Sequence, residues 1–119
     1  MKTVTALVIP TLNAASFWTT WYAALKSQTL QPNFLLLIDS ASTDATPQLA
    51  REAGFQVHSI KREDFDHGGT RQLATTLVPK AEILIYMTQD AILATPDSLE
   101  KLITAFKNPN VGIAYGRQL

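Results

Sequence analysis

Cysteine is absent from the 119 residues, which removes disulfides and thiolate metal sites together. The same absence suits the cytoplasm. Neither sign of charge is in excess: ten Lys and Arg balance ten Asp and Glu, for a formal net charge of zero. That balance gives no reason to expect nucleic acid as a partner, although local basic positions can still hold small phosphates. No apolar stretch approaches the length of a membrane span, and no basic segment leads into a long apolar run at the N-terminus. No repeat, linker or low-complexity segment interrupts the chain, whose length suits one domain with a real core. Glycine (five) and histidine (two) are scarce, so their placement carries information. Two of the glycines and one histidine fall in "DFDHGGTR", residues 64 to 71.

The apolar residues come in short runs separated by helical patterns. "TVTALVIP" (3 to 10) is apolar, partly β-branched and ends in proline, which predicts a buried strand. "AASFWTTWYAALKSQ" places Phe17, Trp18, Trp21, Ala24 and Leu25 on one helical face, and these aromatics read as a core stripe rather than a stacking platform. A second strand, "NFLLLIDS" (33 to 40), stops at an acid. Thr46 then reads as an N-cap with Pro47 at the first helical position, and Gly54 closes that helix. "FQVHSI" (55 to 60) is a weaker strand, "TRQLATTLV" a short helix and "EILIYMT" (82 to 88) a fourth strand. Thr95-Pro96 opens a last helix with Leu99, Leu102, Ile103 and Phe106 as its stripe, and "VGIAYG" (111 to 116) reads as a fifth strand.

Strands that are apolar throughout and alternate with helices predict an α/β three-layer sandwich with a mainly parallel, Rossmann-like sheet. Right-handed crossovers bring the carboxyl ends of parallel strands to one edge. "PTLN", "DSAST", "DFDHGGTR" and "TQDA" follow the first four strands, so four polar segments meet where open α/β sheets bind ligands.

Each segment holds a residue with chemistry to offer. Asp39 ends a strand, where its carboxylate either accepts hydrogen bonds from a base or ribose or caps the turn into "SAST". Asp90 suits a hard cation that also takes phosphate oxygens and water; alternatively it is a turn or cap residue ahead of Thr95. Gly68 and Gly69 can admit a ligand close to the backbone and start a helix whose amides favour anions. Arg71, read in the first turn of that helix, opposes the helix dipole, so either an external anion compensates it or Asp64 or Asp66 pairs with it. His67 either touches phosphate or fixes the loop. His58 lies in a strand, and no metal-ligand spacing links the two histidines. Neither GxxxxGKS/T nor GxGxxG is present.

Together "VIPTLNAA", "IDSASTDAT", "DFDHGGTR" and "YMTQDAIL" resemble the nucleotide-sugar-binding half of family 2 glycosyltransferases with the GT-A fold. "FDHGGTR" followed by "TQDA" is most similar to the rhamnosyltransferase-like branch. The resemblance implies that Pro10, Thr11 and Asn13 lie beside the nucleotide, with Asp39 on the base and Ser40 next to it. It sets His67, Gly69 and Arg71 near the base or diphosphate, and Gln89 with Asp90 at the metal motif, Asp90 being the acid on Mg2+ or Mn2+. Ser40 and Thr88 depart from the acids common at those positions, which implies weaker metal binding. The resemblance further implies an inverting enzyme that transfers a sugar, expected to be rhamnose, from a nucleoside diphosphate donor to a saccharide or lipid-linked acceptor. Peripheral association at the inner face of the membrane goes with that activity.

Because the acceptor-binding half and catalytic base of the family lie beyond "YGRQL", residues 1–119 are expected to be a truncated, donor-binding part, inactive alone. Three rivals stand beside this expectation. A nucleotide-binding module without transferase activity would bind donor and turn nothing over. A phosphate-accepting regulatory domain would need paired acids after the first strand, where "PTLN" has none. A structural domain could associate as a homodimer through an exposed sheet edge.

Overall fold

The computed structural model describes residues 3–107. Strand β1, Thr5–Thr11, is buried at six of its seven positions, as a run apolar on both faces requires. Strands β2 (Phe34–Asp39), β3 (Gln56–Ser59) and β4 (Ile83–Tyr86) join it in the order β3-β2-β1-β4. All pairings are parallel, with Val8 opposite Leu36 on one side and Tyr86 on the other.

Helices α1 (Ala15–Lys26), α2 (Thr46–Glu52), α3 (His67–Leu77) and α4 (Ser98–Thr104) cover the sheet. Because side chains alternate along a strand, Leu7, Ile9, Leu37 and Ile85 pack against Trp18, Trp21 and Leu25 of α1, Ala50 of α2 and Leu99 of α4. Ala6, Val8, Leu36 and Ile38 point the other way, onto Ala74 of α3 and Val78 just after it. Topology explains why α3 lies on the opposite face from α1 and α2. The first two crossovers step outward from β1 to β3, whereas the third returns past β2 and β1 to β4. A crossover of the same hand running in the reverse direction lands on the other face. Three layers result, and the α/β expectation holds.

Several local expectations shift. The α1 stripe is Trp18, Trp21 and Leu25, with Tyr22 stacked on Trp18 (5.6 Å between centroids) and Phe55 edge-on to it (5.4 Å). Phe17 does not belong to that stripe: it is 49% exposed, at its margin in the first turn of α1. Thr46 is the first residue of α2 rather than its cap, because the Asp44 carboxylate accepts from both the Thr46 amide (3.0 Å) and the Thr46 hydroxyl. Gly54, at φ +92°, does close α2. Helix α3 starts at His67, earlier than "TRQLATTLV" suggests, since Asp66 caps it by accepting from Gly69 N at 3.1 Å. Helix α4 starts at Ser98, two residues after Pro96. The expected fifth strand, 111 to 116, lies outside the described residues.

Candidate functional site

Proline in a central strand opens the site. Val8 O accepts from Met87 N (3.0 Å) toward β4, and Thr11 O accepts from Ser40 N (2.9 Å) toward β2. Alternation along the strand therefore points the missing N–H of Pro10 at β4, just where the β1–β4 ladder has ended at Val8 and Tyr86. No ladder bond is lost there, and the sheet parts. Here too the strand order reverses direction, the topological switch point at which α/β sheets bind ligands. A crevice of about 290 Å³ lies at this end of the sheet. Pro10, Thr11 and Leu12 line it from β1, Ser40 from β2, Arg62 and Phe65 from the segment after β3, and Thr88 and Gln89 from the segment after β4. Its volume sits at the lower end of small-ligand pockets, which begin at about 300 Å³.

Asp39 faces inward. It is 1% exposed and accepts from Thr11 Oγ1 (2.9 Å) and Ser42 Oγ at Oδ1 and from Ser42 N (2.9 Å) at Oδ2. Those bonds belong to the turn-capping alternative. The Ser42 hydroxyl also accepts from Asn13 N (2.8 Å), while Asn13 Oδ1 accepts from Thr43 N (2.8 Å). Asn13 and Ala41 sit at φ +51° and +55°, in the left-handed region that non-glycine residues seldom occupy. Interlocked side chains of this kind are what holds two such backbones in place.

Asp44 completes the weld. Its Oδ2 accepts from Ala15 N (3.0 Å) at the start of α1, while its Oδ1 holds Thr46 at the start of α2. Burial pushes its carboxyl up, but the bonds from the Thr46 hydroxyl, the Thr46 amide and the Ala15 amide outweigh that, and the net shift is below the usual carboxylate value. Thr46 Oγ1 in turn accepts from Ala14 N (2.9 Å). One acid and one hydroxyl thus fix two helix starts beside the crevice.

Gln89 closes the opposite side. Its Oε1 accepts from Leu12 N (2.8 Å) and its Nε2 donates to Leu12 O (3.1 Å), so the segment after β4 is strapped to the segment after β1. Asp90 follows on the surface, and its carboxylate has no hydrogen bond or ion pair among the described residues. No group of three or more His, Cys, Asp or Glu capable of holding a metal occurs among the described residues. One exposed carboxylate beside the crevice is nevertheless the donor type that magnesium-like ions use, since they bind through one or two carboxylates plus substrate phosphates.

Pro10, Thr11, Ser40 and Gln89 are therefore brought together at the crevice, with Asp39 at the end of β2 and Asn13 and Asp90 in the loops beside it. His67 and Gly69 lie in the first turn of α3. Arg71 is the fifth residue of that helix, past its first turn, so the dipole opposition is smaller than expected. The side chains of His67 and Arg71 lie outside the described residues. Sequence reasoning missed Asp44, Arg62 and Phe65. The D-x-T spacing of Asp44 and Thr46 was the available signal for the first; the position of "KREDF" directly after a strand was the signal for the others.

Residues 6–119 match the family model described as Glycosyl transferase family 2. The O-antigen chain rhamnosyltransferase RfbN of Salmonella typhimurium is 43% identical over 114 residues, 95% of this chain and 36% of that protein. WbaN of Salmonella anatum, also an O-antigen chain rhamnosyltransferase, is 38% identical over the same shares. The chain thus spans about a third of the length of these curated relatives, 36% in each case. Among solved structures, the mannosyltransferase PcManGT of Pyrobaculum calidifontis, in complex with GDP-Man and Mn2+, superposes with a TM-score of 0.71 at 23% identity, covering 94% of this chain and 34% of that one. S. aureus TarS 1-349 gives 0.69 at 18% identity, covering 97% of this chain and 38% of that one, and has been solved with UDP and with UDP-GlcNAc. At these identities the likeness establishes the fold, the GT-A type that the sequence resembles. The chain belongs to glycosyl transferase family 2.

Proposed function

We propose that residues 1–119 are the donor-binding part of a glycosyltransferase that moves a sugar from a nucleoside diphosphate to a saccharide or lipid-linked acceptor. The observation that carries this reading is the crevice at the β1–β4 switch point, framed by the carboxyl ends of β1 and β2 and strapped by Gln89. The sugar proposed is rhamnose, on the strength of the two rhamnosyltransferase relatives, and the acceptor a growing O-antigen-type glycan. In this reading Pro10, Thr11 and Ser40 wall the nucleotide, Asn13 and Asp39 hold the β1 and β2 loops, and His67, Gly69 and Arg71 serve the diphosphate from α3. Asp90 is the carboxylate for Mg2+ or Mn2+, which when bound would offset charge on the diphosphate.

The reaction proposed for the whole protein inverts the anomeric carbon. An acceptor hydroxyl oxygen bonds to that carbon, the bond to the diphosphate oxygen breaks with its electron pair, and a base takes the hydroxyl proton. That base and the acceptor site are assigned to sequence outside these residues. Cytoplasmic action at the inner membrane face accords with a lipid-linked acceptor. Among the described residues no helix is long and apolar enough to cross a membrane.

Calorimetric titration with dTDP, UDP and GDP and their sugars, with and without Mg2+ or Mn2+, tests the reading. Binding of a nucleoside diphosphate that a cation strengthens, with the cation effect gone in Asp90→Ala, supports it. Failure of both this chain and a protein of the relatives' length to bind any nucleotide sugar removes it.

A further inference from the structure

Arg62 was not among the residues expected to serve a ligand, yet it supplies the crevice with a positive charge. The residues lining that space are Pro10, Thr11, Leu12, Ser40, Phe65, Thr88 and Gln89 besides Arg62, so among the described residues no carboxylate shares the crevice with the guanidinium. Arg62 opens a short 3-10 turn, Arg62–Asp64, after β3, and its side chain reaches the loop that follows β2. Its hydrogen bond is from Nη2 to the carbonyl of Ala41, and at 3.5 Å it is at the outer limit of such a bond. Glu63 and Asp64 adjoin it in sequence, but no ion pair within 4.0 Å involves Arg62 among the described residues; Lys101 with Asp97 is the pair found there. Nearly the whole donor fork of the guanidinium, which carries five N–H groups, is left to solvent. Two hydroxyls in the same crevice, Ser40 Oγ and Thr88 Oγ1, also have no hydrogen bond among the described residues.

A planar fork of donors and two hydroxyls around an apolar floor, with no acid among them, is a set built for an anion with several acceptor oxygens. Asp39, by contrast, has its oxygens engaged by Thr11 and Ser42 and does not line the crevice. We propose that Arg62 is a diphosphate-binding residue of this crevice, reaching the phosphate oxygens of a nucleoside diphosphate from the β3 side while Ser40 and Thr88 add hydroxyl contacts. This rests on the donor-site reading above and deepens it, since it assigns the charge recognition to a residue outside "DFDHGGTR".

The test is a titration of this chain with three probes: inorganic pyrophosphate, a nucleoside diphosphate that the wild type binds, and the corresponding nucleoside without phosphate. Arg62 is exposed, so the Arg62→Ala variant is expected to fold with an unchanged melting temperature. The expected result is a loss of about tenfold for the diphosphate and for pyrophosphate, the lower end for a hydrogen bond to a charged group. Nucleoside affinity should stay within about twofold by the same arithmetic. Arg62→Lys should recover part of the loss, and Arg51→Ala, an exposed cation in the last turn of α2, should show none. Equal weakening of nucleoside and nucleoside diphosphate would mean a base contact and overturn the proposal. Unchanged diphosphate affinity in Arg62→Ala would overturn it while leaving the donor-site reading intact. If the wild type binds pyrophosphate but no nucleotide, the donor-site reading falls, and the pyrophosphate arm alone then decides whether Arg62 is an anion site.

Discussion

Replacing Asp39 by alanine separates a carboxylate that shapes the loops from one that reads a ligand. In the fold it is 1% exposed and accepts from Ser42 N, Ser42 Oγ and Thr11 Oγ1. The backbone amide of Ser42 has nowhere to turn when its acceptor is removed, and a part-buried donor left unmet costs about 1–3 kcal/mol. The two hydroxyls can rotate toward other acceptors or water, so each loses only about 0.5–1 kcal/mol net. The sum, about 2–5 kcal/mol, is a large share of the roughly 5–15 kcal/mol that keeps a domain folded. At about 4 °C per kcal/mol for a domain of this size, the melting temperature should fall by roughly 8–20 °C. Trp18 and Trp21 are both buried in the α1 layer, so tryptophan fluorescence follows the transition without a label. Asp39→Asn, which keeps one accepting oxygen and the side-chain volume, should cost about half as much by the same accounting. A melting temperature within about 2 °C of wild type in Asp39→Ala, less than 1 kcal/mol on the same scale, would refute the capping role. If nucleotide binding were lost in that stable variant, Asp39 would be returned to the ligand.

Other consequences are equally direct. Since the Asp44 carboxyl is held below its usual value in the folded chain, the unfolded chain binds more protons in acid. The stability Asp44 contributes is therefore complete above the ordinary carboxylate range and is lost as pH falls through its lowered folded value. Asp44→Asn should flatten the acid limb of a plot of urea midpoint against pH, and an unchanged limb would contradict the double cap. A methyl group on Gly69 would sit 3.1 Å from Asp66 Oδ2, so the capping carboxylate must give by a few tenths of an ångström while helix propensity improves. These effects are each about 1 kcal/mol and oppose one another. Gly69→Ala should thus be nearly neutral, while Asp66→Ala should cost about 1 kcal/mol in the wild type and much less in Gly69→Ala, a coupling that a double-mutant cycle measures. Gln89→Leu removes both bonds to Leu12, and hydrogen exchange at the Leu12 amide should quicken by about tenfold if the strap is worth about 1.4 kcal/mol. An unaltered rate would show that the two segments hold together without it.

How far these features can be read from the residues depends on the range of the interaction that makes them. The layers are legible because burial is periodic: "TVTALVIP" and "NFLLLIDS" are apolar without alternation, and β1 and β2 are covered on both faces as that pattern demands. Helix α1 is legible for the same reason, except at Phe17, which the 3.6-residue repeat puts at the margin of the stripe and which is 49% exposed in the first turn. Capping is less legible because several acceptors compete. Thr46 precedes proline and has the right type for an N-cap, but its own amide and hydroxyl both donate to Asp44, which takes the amide of Ala15 as well. A charged acceptor forms the stronger bond, so the Thr46 hydroxyl donates to Asp44 and accepts from Ala14 N instead of capping α2.

Strand order is the step at which sequence reading stops, and the site depends on it. Parallel strands alone bring four polar segments to one edge, and that much follows from the βα alternation. That β1 lies between β2 and β4 is a pairing between residues more than seventy positions apart, Val8 with Tyr86, and no local pattern encodes it. Once that neighbour is known, the proline gains its meaning: its missing N–H turns toward the strand that is leaving, and a gap opens instead of a defect. Arg62 follows from the same fact. On the sequence it is one cation in an acidic run, with Asp64 and Asp66 two and four positions on. Only the fold sets its guanidinium within reach of the Ala41 carbonyl, just after β2, and at a crevice that neither of those acids lines. Residues contributed by a strand end are thus predictable from pattern, whereas those that reach across to a neighbouring strand's loop require the topology first.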